Sequence, residues 1–417
     1  MQKIKEKEKI SKIELIDGSI ATIKDTENYK ALKSEDYNFF FNKKDGFFVR
    51  FGKGTPRKKG DKITKQELDL YVLWCNIWKG EKIEPMQFFG DLNTDGSETL
   101  SLPEILDFEV STKCAGPQIK DDFGNYKKAS PCKFCYKSNN NKGKYMSTED
   151  FTTVIEKFPT SLCQVALGIG NVDQPNLFEL MDVCLDRGIK PNLTINGDRM
   201  TKDIFDGLSN RCGAIAISYY DKDLTFNAVH ELATVRKMKQ INIHFFLSEE
   251  TFEKGMQLIE DAQTDTRMKD LNAIVFLSAK LRGNAEKNNF HILSQEKYNI
   301  IAKKALESGV SVGMDSCSAQ KTLLAYKDLP NYKQIEQSVE PCESTLYSTY
   351  INSDGDFYPC SFAEGIEYAP GDWQNGISVL ECNDFLKDVW FNNKTKTFSN
   401  EVIKCRDCGK SCAIFEI

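Results

Sequence analysis

The sequence predicts an α/β fold built on a parallel sheet. Three observations predict it: six apolar strand-like runs between residues 105 and 277, helical segments separating them, and glycines or prolines at helix ends. The runs are "ILDFEV" (105–110), "CQVALGIG" (163–170), "KPNLTI" (190–195), "AIAIS" (214–218), "INIHFFL" (241–247) and "NAIVFL" (272–277). Ser147 opens the first helical segment, with Pro159 beyond its end, and Pro175 and Gly188 bracket the second. Further helices fit 201–208, 224–238 and 250–260, and a sixth at 295–308 ends at Gly309. Strands that alternate with helices pair in parallel through right-handed crossovers. The pattern alone leaves open whether the sheet stays open or curls.

Residues 1 to about 100 read as a small accessory domain. Lys43-Lys44-Asp45-Gly46 lies between two aromatic runs as a hairpin turn. "GTPRKKGDK" (54–62) is a polar loop, and "TKQELDLYVLWCNIW" (64–78) has helical periodicity after a threonine cap.

The totals narrow the function classes. The 417 residues are 40% hydrophobic and 28% charged, as in globular proteins. The net charge of −6 gives no general drive toward nucleic acid, and "NKGK" and "TPRKKGDK" read as solvated loops. No run of eighteen apolar residues argues for a membrane span. The charged N-terminus lacks an apolar signal core, so a cytoplasmic location is expected. Fourteen cysteines are then hard to explain as disulfides. Cys75, Cys163, Cys184 and Cys212 sit singly among apolar neighbours, as small buried hydrophobes do.

The other ten cysteines carry the chemistry. Cys132 and Cys135 have metal-pair spacing, and Cys114 lies just past the first strand, where parallel α/β folds put their sites. Three thiolates could bind zinc, but structural zinc takes four ligands and neither a nearby histidine nor a fourth cysteine completes the set. A [4Fe–4S] cluster on three cysteines instead leaves one iron open to a non-protein ligand.

"CKFCY" resembles the second half of the radical S-adenosylmethionine motif, in which an aromatic residue, here Phe134, precedes the last cysteine. "ILDFEVSTKC" is similar to that family's first strand running into its first cluster cysteine. The spacing departs from the family's C-x3-C-x2-C, being C-x17-C-x2-C here; loop insertions cost little closure entropy when their ends stay near. By the same resemblance, Gly168 and Gly170 stand where a glycine turn holds the methionine moiety. Asn171 or Asp173 stands in for the family's glutamate, Asn196 belongs to a Thr-Asn-Gly-like strand end, and Ser218 is a ribose contact. The implied fold is a partial (β/α)6 TIM-like barrel over residues 101–309. It is flanked by the accessory domain (1–100) and a C-terminal cysteine-rich domain (310–417).

In that last region "CESTLYSTYINSDGDFYPC" reads as a hairpin whose Asp354-Gly355 turn brings Cys342 and Cys360 together. Cys342-x12-Gly355-x4-Cys360 resembles the opening of the SPASM domain, which carries auxiliary iron–sulfur clusters. The resemblance implies that Cys317, Cys342, Cys360, Cys382, Cys405, Cys408 and Cys412 serve one or two auxiliary [4Fe–4S] clusters, a zinc ribbon being the alternative. The implied function is reductive cleavage of S-adenosylmethionine at the cluster on Cys114, Cys132 and Cys135. The resulting 5′-deoxyadenosyl radical would abstract hydrogen from a peptide or protein substrate, with a flavodoxin or ferredoxin as reductant and no membrane partner. A small metabolite or nucleotide substrate, or a zinc-stabilised binding protein without catalysis, are the competing expectations.

Overall fold

The computed structural model describes residues 8–34, 37–52, 65–79, 101–118, 125–126 and 132–415. The expected polar loop at 54–62, the Thr64 cap and most of the loop between Cys114 and Cys132 lie outside them. The chain divides into two compact units: Met1–Leu102 with Pro159–Ser161, and Pro103–Phe158 with Leu162–Ile417.

In the first unit, β1 (Lys9–Glu14), β2 (Ile20–Asp25), β3 (Tyr29–Lys33), β4 (Tyr37–Asn42) and β5 (Phe48–Gly52) form an antiparallel sheet in sequential order. The turn between β4 and β5 falls on Lys43–Gly46, with Gly46 at φ 75° and its N–H donating to Asn42 O. Trp74 and Ile77 of helix α1 (Lys65–Ile77), with Trp78 just past its end, pack against Ala31 and Phe40.

The second unit carries the parallel sheet. Its strands β6 (Ile105–Glu109), β7 (Gln164–Gly168), β8 (Lys190–Ile195), β9 (Ala214–Ser218), β10 (Gln240–Leu247) and β11 (Ala273–Ser278) follow the six sequence runs. They pair in parallel in sequential order. A seventh parallel strand, β12 (Val312–Met314), extends the far edge; three residues without alternation gave no sequence signal. On the near edge β13 (Ser348–Ile351) joins β6 in parallel. β14 (Asp356–Tyr358) and β15 (Ile377–Ser378) then follow antiparallel, so the C-terminal hairpin continues the same sheet.

The connecting helices are α2 (Thr148–Lys157), α3 (Leu177–Asp186), α4 (Lys202–Ser209), α5 (Lys222–Val229), α6 (Phe252–Thr264) and α7 (Gln295–Ser308). Ser147 caps α2 by accepting from Asp150 N–H, and Gly309 closes α7 at φ 69°. The helix expected over 224–238 changes character: α5 widens into a π-helical turn at His230–Val235, with Arg236 N–H reaching Glu231 O.

Burial alternates along the strands, as period-two sheets require. One face is sealed by helices: Phe108 on β6 stacks on Phe151 of α2 with centroids 4.9 Å apart. The other face lines a cavity of about 540 Å³ touched by residues of β6, β7, β8, β9, β10 and β11. A flat sheet would spread six strand ends over roughly 24 Å, so the sheet curls round that space as a partial barrel, its end strands unpaired with each other among the described residues.

Candidate active site

The inner face is polar and small where the outer face is apolar. Asp107 and Glu109 of β6, Ala166 and Gly168 of β7, Thr194 of β8, Ser218 of β9 and His244 and Phe246 of β10 all face the cavity. Charged residues at alternate positions of an apolar run are tolerated only where that face is not core.

Cys114, Cys132 and Cys135 line this same cavity despite their spacing. The reason lies at the base of the intervening loop. Ser111 bridges Tyr145, Lys113 bridges Asn140, and Cys114 N–H donates to Asn140 O at 2.8 Å. The chain therefore leaves β6 and returns beside itself, so the insertion between the cysteines does not separate their ends. Burial pushes the Cys114 thiol up and the Cys132 thiol up to about 11. Neutral thiols in such a place become thiolates when a cation replaces the proton.

Among the described residues no three His, Cys, Asp or Glu side chains converge as one metal ion needs. A zinc ion with Zn–S bonds of about 2.3 Å would gather its sulfurs round a point. Here the three thiols line one cavity, a donor set that suits a cluster with an iron at each corner.

Two glycines hold the cluster-type loop. A Cβ on Gly170 would lie 2.7 Å from Cys114 Cβ, so only glycine lets the end of β7 approach that cysteine. A Cβ on Gly283 would strike Tyr136 O and lie 2.7 Å from Cys135 O, and its φ is +59°. The following turn completes the clamp. Asn284 N–H donates to Cys135 O at 2.8 Å, Asn284 Nδ2 to Cys132 O at 3.0 Å, and Asn288 Nδ2 to Lys133 O at 3.1 Å. No sequence motif marks this clamp. Gly283→Ala is expected to destabilise the loop by about 1–3 kcal/mol and to lower iron per chain after reconstitution, with the far-ultraviolet circular dichroism unchanged.

Phe134 stacks on Phe246 (4.5 Å, 4°) and on Tyr220 (5.6 Å, 11°), giving the cavity a flat aromatic wall. Gly168, Gly170, Asn196 and Ser218 line the cavity with it. Asn171 and Asp173 are not brought to that wall. Asn171 is buried, and its Oδ1 accepts from Ala115 N–H at 2.9 Å, fixing the chain after Cys114. Asp173 faces outward to an ion pair with Arg199 at 3.1 Å.

The cavity's other charges are mostly committed. Lys137, two residues past Cys135, pairs with Glu109 and Glu364, and donates to Tyr350 Oη at 2.7 Å. Lys280 pairs with Asp315. Burial holds His244 neutral, near pKa 4. Asp107 opens onto the cavity with neither an ion pair nor a side-chain hydrogen bond among the described residues, and desolvation by the surrounding protein raises it to about 6.

A second cavity of about 230 Å³ adjoins the first and shares Asp107, Lys280, Cys317, Ser361 and Phe362 with it. Cys317, Cys342, Cys360 and Cys412 all line it. The Asp354–Gly355 turn, with Gly355 at φ 82°, returns β14 along β13 and sets Cys360 near Cys342. Burial pushes Cys342 to about 11 and Cys360 to about 12. Cys405 is buried with its sulfur against Cys412 O, and Cys408 is exposed at a helix end. Cys382 is not brought to this group; its sulfur faces Val379 O, beside Lys157, Asp388 and Asp384.

No protein-family model matches the chain, and no curated protein matches it in sequence. Among solved structures, that of Streptococcus suis SuiB is similar at TM-score 0.57 and 12% identity, covering 93% of this chain and 94% of that one. SuiB bound to its precursor peptide SuiA gives TM-score 0.58 and 14% identity, over 91% and 94% of the two chains. SuiB bound to S-adenosylmethionine gives 0.56 and 12%, over 90% and 91%. At these identities the likeness is one of fold: this chain has the α/β fold of SuiB over nearly its whole length.

Proposed function

We propose that the chain is a radical S-adenosylmethionine enzyme that modifies a peptide. One observation carries the reading: three cysteines that the sequence scatters over twenty-two positions (Cys114 to Cys135) meet on one cavity at the C-terminal ends of a parallel sheet. When bound there, a [4Fe–4S] cluster supplies an electron and an open iron for S-adenosylmethionine, the source of a 5′-deoxyadenosyl radical that abstracts hydrogen.

The chain's own residues have defined work in that scheme. Cys114, Cys132 and Cys135 hold the cluster. Gly168 and Gly170 allow backbone approach to the methionine moiety, Phe134 offers its aromatic face, and Asn196 and Ser218 offer hydrogen bonds to the ribose. The stacked rings of Phe134, Phe246 and Tyr220 keep water from a reactive carbon radical. Asp107, shared by both cavities and without an ion pair, is a polar group free to meet a substrate. Cys317, Cys342, Cys360 and Cys412 would hold one auxiliary [4Fe–4S] cluster.

The peptide substrate is supported by SuiB, whose fold the chain shares and which is seen with a precursor peptide and with S-adenosylmethionine. No helix among the described residues is long and apolar enough to cross a membrane. All fourteen cysteines are unpaired, which fits a reducing cytoplasm and a flavodoxin- or ferredoxin-type reductant there.

The test is anaerobic reconstitution followed by iron counting and chromatography of the products. At least eight irons per chain are expected, roughly four per cluster, with 5′-deoxyadenosine formed from S-adenosylmethionine and dithionite. Stoichiometric zinc without iron would overturn the reading.

A further inference from the structure

A short turn that carries no cysteine, residues 280–284 just past the end of β11, touches both cysteine sites. On one side Gly283 presses on Tyr136 O, and Asn284 donates to the carbonyls of Cys132 and Cys135. Arg282 reaches the other way. Its Nη1 donates to Phe362 O and its Nη2 to Glu364 O at 2.9 Å, two and four residues past Cys360. Lys280 lies over the Phe362 ring at 5.3 Å and pairs with Asp315, which precedes the short helical turn Ser316–Ser318 carrying Cys317.

The remaining side closes directly. Tyr136, next to Cys135, packs on Phe362 with ring centroids 4.5 Å apart. Lys137 pairs with the Glu364 carboxylate, which also accepts from Tyr350 Oη and Asn352 Nδ2, each at 3.1 Å. Segments 135–137, 282–284 and 362–364 are therefore tied pairwise. Three bodies linked on all three sides cannot swing about any one link, whereas removing a link leaves a hinge. The link from 282–284 to 362–364 is the Arg282 fork. A planar guanidinium suits that work, because its donors have a fixed spread and its acceptors here are main-chain carbonyls, so it fixes backbone. The turn beneath it is stiff as well: Arg282 N–H donates to Lys280 O at 2.9 Å, and Ala285 N–H to Arg282 O at 3.1 Å.

We propose that Arg282 is a positioning residue that holds the auxiliary cysteine site at a fixed spacing from the open-iron cluster site. This rests on the reading of both cysteine sets as cluster ligands. Cys135 belongs to one tied segment and Cys360 leads into another, so the spacing of the two sites follows from the triangle. Phe362, wall to both cavities, is set by the same fork. A peptide lying across both cavities then meets the radical source and the auxiliary site at one separation.

The experiment is pulsed electron paramagnetic resonance on the full-length, iron-loaded protein reduced with dithionite, read as the distribution of distance between the two reduced clusters. The signal that changes on adding S-adenosylmethionine identifies the open-iron cluster. Wild type is expected to give a narrow distribution. Arg282→Ala is expected to give a broader one, with iron per chain and circular dichroism unchanged, since Arg282 is half-buried and water can reach the carbonyls it leaves. Arg282→Lys keeps the charge but replaces the fork by one donor atom, and is expected to fall between them. A distribution as narrow as that of wild type in iron-loaded Arg282→Ala would overturn the role of Arg282. If Arg282→Ala takes up less iron, Arg282→Lys decides, and a wild-type distribution in it would overturn the role. A wild-type protein that takes up no iron, or only one cluster, would instead overturn the reading beneath it.

Discussion

Cys132→Ala is expected to lose about four irons per chain and to lower 5′-deoxyadenosine formation by at least about a thousandfold, to background. Cys114→Ala and Cys135→Ala should do the same. A cluster with only three protein ligands has none to spare, and the two remaining sulfurs leave a second iron uncoordinated. The structure makes Cys114 the decisive member, since its distance in sequence is the unusual feature. Its backbone is held at three points, by Asn140 O on its N–H, by Gly170 packed against its Cβ, and by Asn171 on the next residue. Cys163→Ala supplies the control. Cys163 is fully buried and lines neither cavity, so its loss should cost stability of order 1 kcal/mol and leave iron untouched. Retained S-adenosylmethionine cleavage in a folded Cys114→Ala protein would show that the third ligand lies elsewhere.

What the sequence makes legible follows from the range of the interactions involved. The six strands are visible because helix-facing residues recur every second position, a local signal. Asp107 and Glu109 within "ILDFEV" already announce an inner face that is not core. The cysteines, too, are visible one by one. What joins them is not local. Asn284 holds Cys132 from 152 residues away, and "RGNAEKN" reads as an ordinary loop until Gly283 is seen pressed on Tyr136. Spacing could not separate Cys382, turned toward Lys157, from Cys317, which faces the cavity; only the fold does that. The resemblance puts Asn171 or Asp173 in place of that family's glutamate by position along the turn. Position does not fix direction, and one side chain turns inward to the Cys114 backbone while the other turns out to Arg199.

On the proposed reading the two cavities divide the chemistry, and Cys360→Ala should reveal the division. Breaking S-adenosylmethionine needs the residues of the larger cavity, none of which is Cys360. Cys360 lines the smaller one, with Cys317, Cys342 and Cys412. Removing it should cost about four irons yet keep 5′-deoxyadenosine formation with dithionite within a few-fold of wild type. Conversion of the peptide substrate should fall by two orders of magnitude or more, because Ser361 and Phe362, the next residues along, form wall common to both cavities. A cluster lost from a domain can unfold it, so circular dichroism on the variant comes first. The fold gives reason to expect survival: β13 is anchored by its parallel pairing to β6, and Tyr350 by its bonds to Glu109 and Glu364, none of which involves a thiol. Cys382→Ala, on the same C-terminal segment but away from the cavity, should keep its full iron. If Cys382→Ala loses iron as Cys360→Ala does, the auxiliary ligand set is wider than the smaller cavity. If folded Cys360→Ala still converts substrate normally, that cavity serves structure alone.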